Sequence, residues 1–177
     1  MKKSQKSLRI TIVLALLVAI SILMGKYLAI RGGDVMRFSL ENTPIILAGI
    51  AFGPVAGATV GIIADLVGCI MVGYTINPLV TLGAAAIGLI AGAMPRLLNK
   101  IKIDPRIKTA IIIATAHVIG SVIIKTLGLA AYYSMPFIIL LLWRVLNYLI
   151  VGILDGAVVH ILLNHKAIDR QIKEITR

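Results

Sequence analysis

The sequence predicts an all-α integral membrane protein, a bundle of about six transmembrane helices with N- and C-termini cytoplasmic. Three observations predict it. Apolar segments, each sized for a bilayer or a large part of one, recur along the chain. Hydrophobic residues make up 59% of the 177 and charged ones only 14%, at a mean hydropathy of +1.02. One soluble core cannot hide that much apolar surface, so lipid must cover most of it. Third, thirteen of the eighteen Lys and Arg gather in three short clusters: Lys2, Lys3, Lys6 and Arg9; Arg96, Lys100, Lys102, Arg106 and Lys108; Lys166, Arg170, Lys173 and Arg177. By the positive-inside rule all three belong on the cytoplasmic face, which demands an even number of spans between neighbouring clusters. The clustering also argues against nucleic acid as the reason for a net charge of +11, since the cations do not line one face.

A single transmembrane domain, 1–177, holds the elements. The first helix, 8–30, is interrupted by Ser21 and Lys26 and ends at Arg31-Gly32-Gly33-Asp34, an outer loop. It follows basic residues as a signal peptide would, but no A-x-A-type site follows and the run is long enough to span, so it reads as a retained helix. The second segment, 44–53, is roughly 15 Å long at 1.5 Å per residue, short for a crossing without tilt or local thinning. Pro54 then starts a third helix, 54–72, because its missing N–H has no partner to lose in a first turn. Gly73-Tyr74-Thr75-Ile76-Asn77-Pro78 carries turn chemistry and leads into a fourth, 78–98. Asp104-Pro105 caps a fifth, 107–131, and Ser134-Met135-Pro136 opens a sixth, 135–164. Four segments separate the first two clusters and two separate the last pair, so the parity requirement is met both times. A count of five helices with one re-entrant segment stays open, on account of the short second one.

Gly49, Gly53, Gly57 and Gly61 recur every fourth residue, as do Gly88 and Gly92, and Ala15 and Ala19. In lipid no water-driven force pulls helices together, so small residues at this spacing matter by permitting close van der Waals contact. Their first reading is packing inside the chain's own bundle.

The informative residues are those a lipid-facing helix avoids: Asp65, Lys125, Arg144 and Asp155, with Asn147 and His117. A charge at mid-bilayer costs at least about 2.5 to 3.5 kcal/mol, so such groups face an interior, a partner or a wet cavity. The topology puts Asp65, Lys125 and Arg144 in the outer half. Nearby outer segments add Arg37, Glu41 and Asn42, then Tyr74, Asn77, Tyr132 and Tyr133. A polar cavity open to the outside accounts for them, and its surplus of cations suits an anionic ligand. The alternative is an Asp65–Arg144 or Asp65–Lys125 ion pair that fixes helix register and leaves one cation over. Asp155 lies about three turns deeper than Arg144 and reads as structural, and His117, with no second His or carboxylate at i+3 or i+4, reads as a packed histidine.

Other classes lack their motifs. There is no nucleophile with a base, no H-E-x-x-H and no P-loop, hence no intramembrane protease or ATPase, and no cofactor motif. The single cysteine, Cys69, excludes an intramolecular disulfide framework and a zinc ribbon. Duplicated halves with paired broken helices, usual in self-sufficient secondary transporters, are missing. What remains is a small binding subunit that relies on a separate energy-coupling partner.

The stretch Arg37-Phe38-Ser39-Leu40-Glu41-Asn42-Thr43-Pro44-Ile45-Ile46-Leu47-Ala48-Gly49, then Phe52-Gly53-Pro54-Val55-Ala56-Gly57 and Asp65-Leu66-Val67-Gly68, resembles the substrate-binding S components of energy-coupling factor (ECF) vitamin transporters. It is most similar to their folate family, which shares the turn at 73–78. The resemblance is strongest over residues 37 to 92. It implies a six-helix protein of a bacterial cell membrane that captures a vitamin from outside and works with a transmembrane coupling protein and two ATPase subunits. It also implies that Ala15-Leu16-Leu17-Val18-Ala19 matches the family's A-x-x-x-A motif, so that Ala15 and Ala19 contact the coupling protein. Folate fits the charge reading: Arg37, Lys125 and Arg144 for its carboxylates, with Asp65, Asn77 or Asn147 for the pterin, and Glu41 beside them. Pantothenate, an anion without an aromatic ring, is the runner-up.

Overall fold

A computed structural model describes residues 3–32 and 36–176. Lys2 of the first basic cluster, Gly33 and Asp34 of the outer loop, and Arg177 lie outside the described residues, as do the side chains of Lys3, Arg31 and Lys173. Helix α1, Lys3–Ile22, runs into a π-helical turn, Leu23–Tyr27. A two-stranded antiparallel hairpin follows, β1 Ile30–Gly32 and β2 Met36–Phe38, with Arg31 opposite Arg37. Then come α2 Asn42–Phe52, α3 Pro54–Val72, α4 Pro78–Leu98 and α5 Pro105–Ala116. A second π-helical stretch, His117–Ile124, joins α5 to α6 Lys125–Tyr133, and α7 Phe137–Asn164 and α8 Lys166–Thr176 follow.

Among the described residues, five helical runs are long and apolar enough to cross a membrane: Gln5–Tyr27, Pro54–Val72, Pro78–Leu98, Pro105–Tyr133 and Phe137–Asn164. Short α2 has 11 residues, about 16 Å. Proline opens α3, α4 and α5, and the Asn77 and Asp104 side chains cap the last two by accepting backbone N–H bonds. Two features differ from the sequence reading. The segment expected to be an outer loop carries two paired strands of three residues each, too short for a period-two pattern to show. Beyond the sixth predicted segment, α8 is an extra amphipathic helix, with Ile168, Ile172 and Ile175 half-buried and Arg170, Gln171 and Glu174 exposed. It packs on α7 and α1.

The glycine stripe is consumed inside the bundle. A methyl group added to Gly57 or Gly61 of α3 would run into the α4 backbone at Gly88 or Ala84, and one on Gly49 of α2 into the same face of α4 near Gly88 and Gly92. Side-chain loss at these positions lets α2, α3 and α4 touch almost backbone to backbone. Around them the core is aliphatic, with Ile46, Val60, Ile87, Ala91, Ile113 and Val159 buried. Ala15 and Ala19 lie elsewhere, on the exposed side of α1 beside Leu16 and Ile20.

The shortness of α2 shapes the molecule. Its far end, Gly53, lies near Arg96 at the end of α4, while its near end, Asn42, is wholly buried. Nineteen-residue α3 outreaches α2 by about 12 Å. Over α2 the bundle is therefore hollow, and the hairpin and the inter-helix turns close around the gap.

Candidate ligand-binding site

Two turns of the same kind deliver the cavity's rim. At the end of α3, Gly73 takes a left-handed conformation (φ 69°), and the Tyr74 N–H returns to the Cys69 carbonyl at 2.9 Å. This is the bond pattern of a Schellman cap. After α6 the left-handed residue is Ser134 (φ 51°), and the Met135 N–H returns to Ala130 at 3.2 Å. These turns bring Tyr74, Thr75, Tyr132, Tyr133 and Met135 over the hollow, and the Tyr132 hydroxyl donates to Thr75 Oγ1 at 3.0 Å, linking them.

Beneath the rim lies a cavity of about 290 Å³. That is near the lower end of small-molecule sites, roughly 300 to 1,000 Å³. Arg37, Glu41, Asp65, Asn77, Lys125 and Arg144 all line it, as do Lys26, Ser39, Cys69 and Tyr148. Asn147 does not: it is buried on α7, where its Nδ2 donates to the Arg37 carbonyl at 2.9 Å and so props β2. Asn77 touches the cavity but its amide is engaged, with Oδ1 capping α4 and Nδ2 donating to the Gly128 carbonyl at 2.8 Å.

The ion-pair alternative built on Asp65 is overturned. Asp65 Oδ2 accepts from Thr81 Oγ1 at 2.6 Å, and Oδ1 has only the weak Cys69 thiol donor at 4.0 Å among the described residues. Lys125 turns instead to Glu41 (3.4 Å) and Asn42 (3.5 Å). Arg37 Nη2 holds Glu41 Oε2 at 2.8 Å and also donates to the Gly25 carbonyl. Arg144 donates through Nε and Nη2 to the Ser121 carbonyl, at 3.1 and 2.8 Å, and its guanidinium sits 5.1 Å from the centre of the Tyr148 ring. Nη1 makes none of these bonds. Lys26 lies 5.5 Å from the centre of the Tyr74 ring, close enough for a cation–π contact.

Below Arg144 the polar groups close on themselves. Asp155, fully buried, accepts from Thr43 Oγ1 and lies 2.8 Å from His117 Nε2; His117 Nδ1 lies 3.3 Å from Ser121 Oγ. Asp155 and His117 are thus the structural groups the sequence indicated. Among the described residues no three His, Cys, Asp or Glu side chains gather where a metal could be held.

Chemically, the cavity sets four cations, Lys26, Arg37, Lys125 and Arg144, against two carboxylates, Glu41 and Asp65. Glu41 lies in the bend between β2 and α2, outside the spanning helices. Desolvation by itself would raise its carboxyl, but Lys125, Arg37 and Lys26 more than reverse this and hold it at about 2, against an ordinary 4.5. Four of the chain's five tyrosines, Tyr74, Tyr132, Tyr133 and Tyr148, share the lining. Lys26 was missed because a lone lysine near a helix end also snorkels without function. Tyr148 carries a usable signal, since it follows Arg144 by four residues on one helix face.

A family model described as "ECF-type riboflavin transporter, S component" matches residues 5–170. The chain belongs to the S-component family of ECF-type transporters. Among solved structures, this S component is similar to FolT bound with folic acid, at 21% identity over 84% of this chain and 89% of the other, with a TM-score of 0.67. It is also similar to the S component of a bacterial ECF transporter, at 17% identity over 97% and 99%, with a TM-score of 0.66. At such identities both show a shared fold. A comparison with curated proteins found no match. As an S component the chain is a multi-pass membrane protein of vitamin uptake, a transport protein and not an enzyme, in a system completed by transmembrane coupling and ATPase subunits.

Proposed function

We propose that this S component captures folate from the outside, with both termini cytoplasmic, and passes it on through the coupling module. The observation that carries the reading is the joint presence of a cation surplus and a tyrosine-lined wall in one cavity. Folate offers carboxylates to Arg37, Lys125 and Arg144, a ring system to the tyrosines, and pterin N–H groups to Asp65 Oδ1. Asn77 and Asn147 hold the frame. Pantothenate would use the cations and leave the aromatic wall idle.

Riboflavin is the second reading, favoured by the description of the matching family model. It would stack on the tyrosines but brings no carboxylate for the cations. Ala15 and Ala19, exposed together on α1, provide the flat strip by which the coupling protein docks. Calorimetric titration of the purified protein with folate, riboflavin and pantothenate, paired with the fluorescence of Trp143, tests the choice. Tight one-to-one binding of folate alone supports the proposal, and tight binding of riboflavin or pantothenate without folate overturns it.

A further inference from the structure

Glu41 sits where an anionic ligand belongs. Its two oxygens reach two different cations, Arg37 at 2.8 Å and Lys125 at 3.4 Å, so a single carboxylate of the chain occupies half of the cavity's positive charge. The fit is incomplete on both sides. Arg37 Nε is cut off from solvent and has no acceptor among the described residues, whereas a carboxylate that met the guanidinium edge-on would take Nε and Nη2 together. Lys125 is 5% exposed, yet among the described residues its ammonium reaches only oxygens at 3.4 and 3.5 Å, long against the roughly 2.7–2.9 Å of a good charge-assisted bond. Two incompletely satisfied donors thus converge on one carboxylate, which Arg37 holds closely and Lys125 only at longer range. The Glu41 backbone, by contrast, is fixed: Ser21 Oγ donates to its carbonyl at 2.7 Å. The side chain can therefore leave without moving the element that carries it.

We propose that Glu41 is a specificity-determining residue, an internal counter-ion that fills the Arg37–Lys125 clamp in the empty protein and that a ligand's anionic group must displace. A ligand with a carboxylate gains Arg37 Nε and a shorter bond to Lys125 as Glu41 swings out. A neutral ligand of similar shape gains neither and finds the clamp already taken. The proposal rests on reading this cavity as the vitamin site, and it needs an anionic ligand without requiring that the ligand be folate.

The test compares the full chain with Glu41→Gln, purified in detergent, in two arms. Thermal unfolding of the empty proteins needs no ligand: Glu41→Gln leaves two cations without their carboxylate and lowers the midpoint, and an unchanged midpoint overturns the proposal. Titration with folate and with pterin lacking the carboxylate-bearing tail is the second arm. Several-fold tighter folate binding by Glu41→Gln, with pterin unaltered, supports the exchange. Weaker binding of both shows that Glu41 contacts the ligand directly and overturns it, as does unchanged folate binding. If the parent protein binds pantothenate and not folate, the folate reading fails, and the same tightening is then required of pantothenate. Tight binding of riboflavin by the parent protein shows that the site accepts a ligand without an anion and overturns the proposal as well.

Discussion

His117 Nε2 lies 2.8 Å from Asp155 Oδ2 in the middle of the bundle, and neither side chain is more than 3% exposed. With Thr43 on the other carboxylate oxygen, this one contact ties α2 and the π-helical stretch to α7. Removing one member of a buried charged or hydrogen-bonded pair leaves the other unpaired in a low-dielectric interior.

Asp155→Ala is accordingly expected to cost about 3 to 5 kcal/mol of stability. Because the two residues act as a unit, adding His117→Ala to that variant is expected to cost little more. Denaturant unfolding of the four proteins in detergent checks this, and additive losses would show that the pair is not coupled.

The contact between Gly57 and Gly88 is backbone against backbone, so no flexible side-chain end can give way. Gly88→Ala is expected to lower stability by roughly 1 to 3 kcal/mol, the usual range for overpacking. A melting midpoint equal to that of the parent protein would contradict the close approach of α3 and α4.

Arg144 spends Nε and Nη2 on the Ser121 carbonyl, and Nη1 has no hydrogen bond among the described residues. Arg144→Ala is expected to weaken folate by about 2 kcal/mol or more, as for other desolvated charge contacts, and to lower the melting midpoint much less. Unfolding in detergent without a selective loss of binding would assign Arg144 to the scaffold.

Ala15→Trp places a large ring on the exposed strip of α1, away from the cavity. Vitamin uptake by cells is expected to be abolished while binding by the purified chain stays intact. Normal uptake would remove Ala15 and Ala19 from the coupling interface.

The Glu41 carboxyl, held at about 2 against 4.5, titrates lower in the folded protein than in the unfolded one. A depressed carboxyl contributes stability that is fully present above its unfolded value and is lost as pH falls through its folded value. The stability difference between the parent protein and Glu41→Gln is therefore expected to be constant above about pH 5 and to shrink toward pH 2. A difference that changes between pH 6 and 8 would place the titrating group elsewhere.

Composition and helix spacing are enough to make this a membrane bundle, to mark which stripes are small enough for close contact, and to put Arg37, Glu41, Asp65, Asn77, Lys125 and Arg144 toward one end of it. These are matters of composition and of distance along a helix axis, and both are local: hydropathy is set residue by residue, and depth follows from 1.5 Å per position. Which of these side chains meet is a matter of tertiary packing. Lys125 pairs with Glu41 and not with Asp65, Asn77 spends its amide on a cap, Asn147 supports a strand from behind, and Lys26 enters the cavity. Those outcomes depend on how each helix is rotated about its own axis against its neighbours. That rotation comes from the joint packing of α2, α3 and α4 on their glycines, and from an α2 about 12 Å shorter than α3, which no single segment of sequence contains.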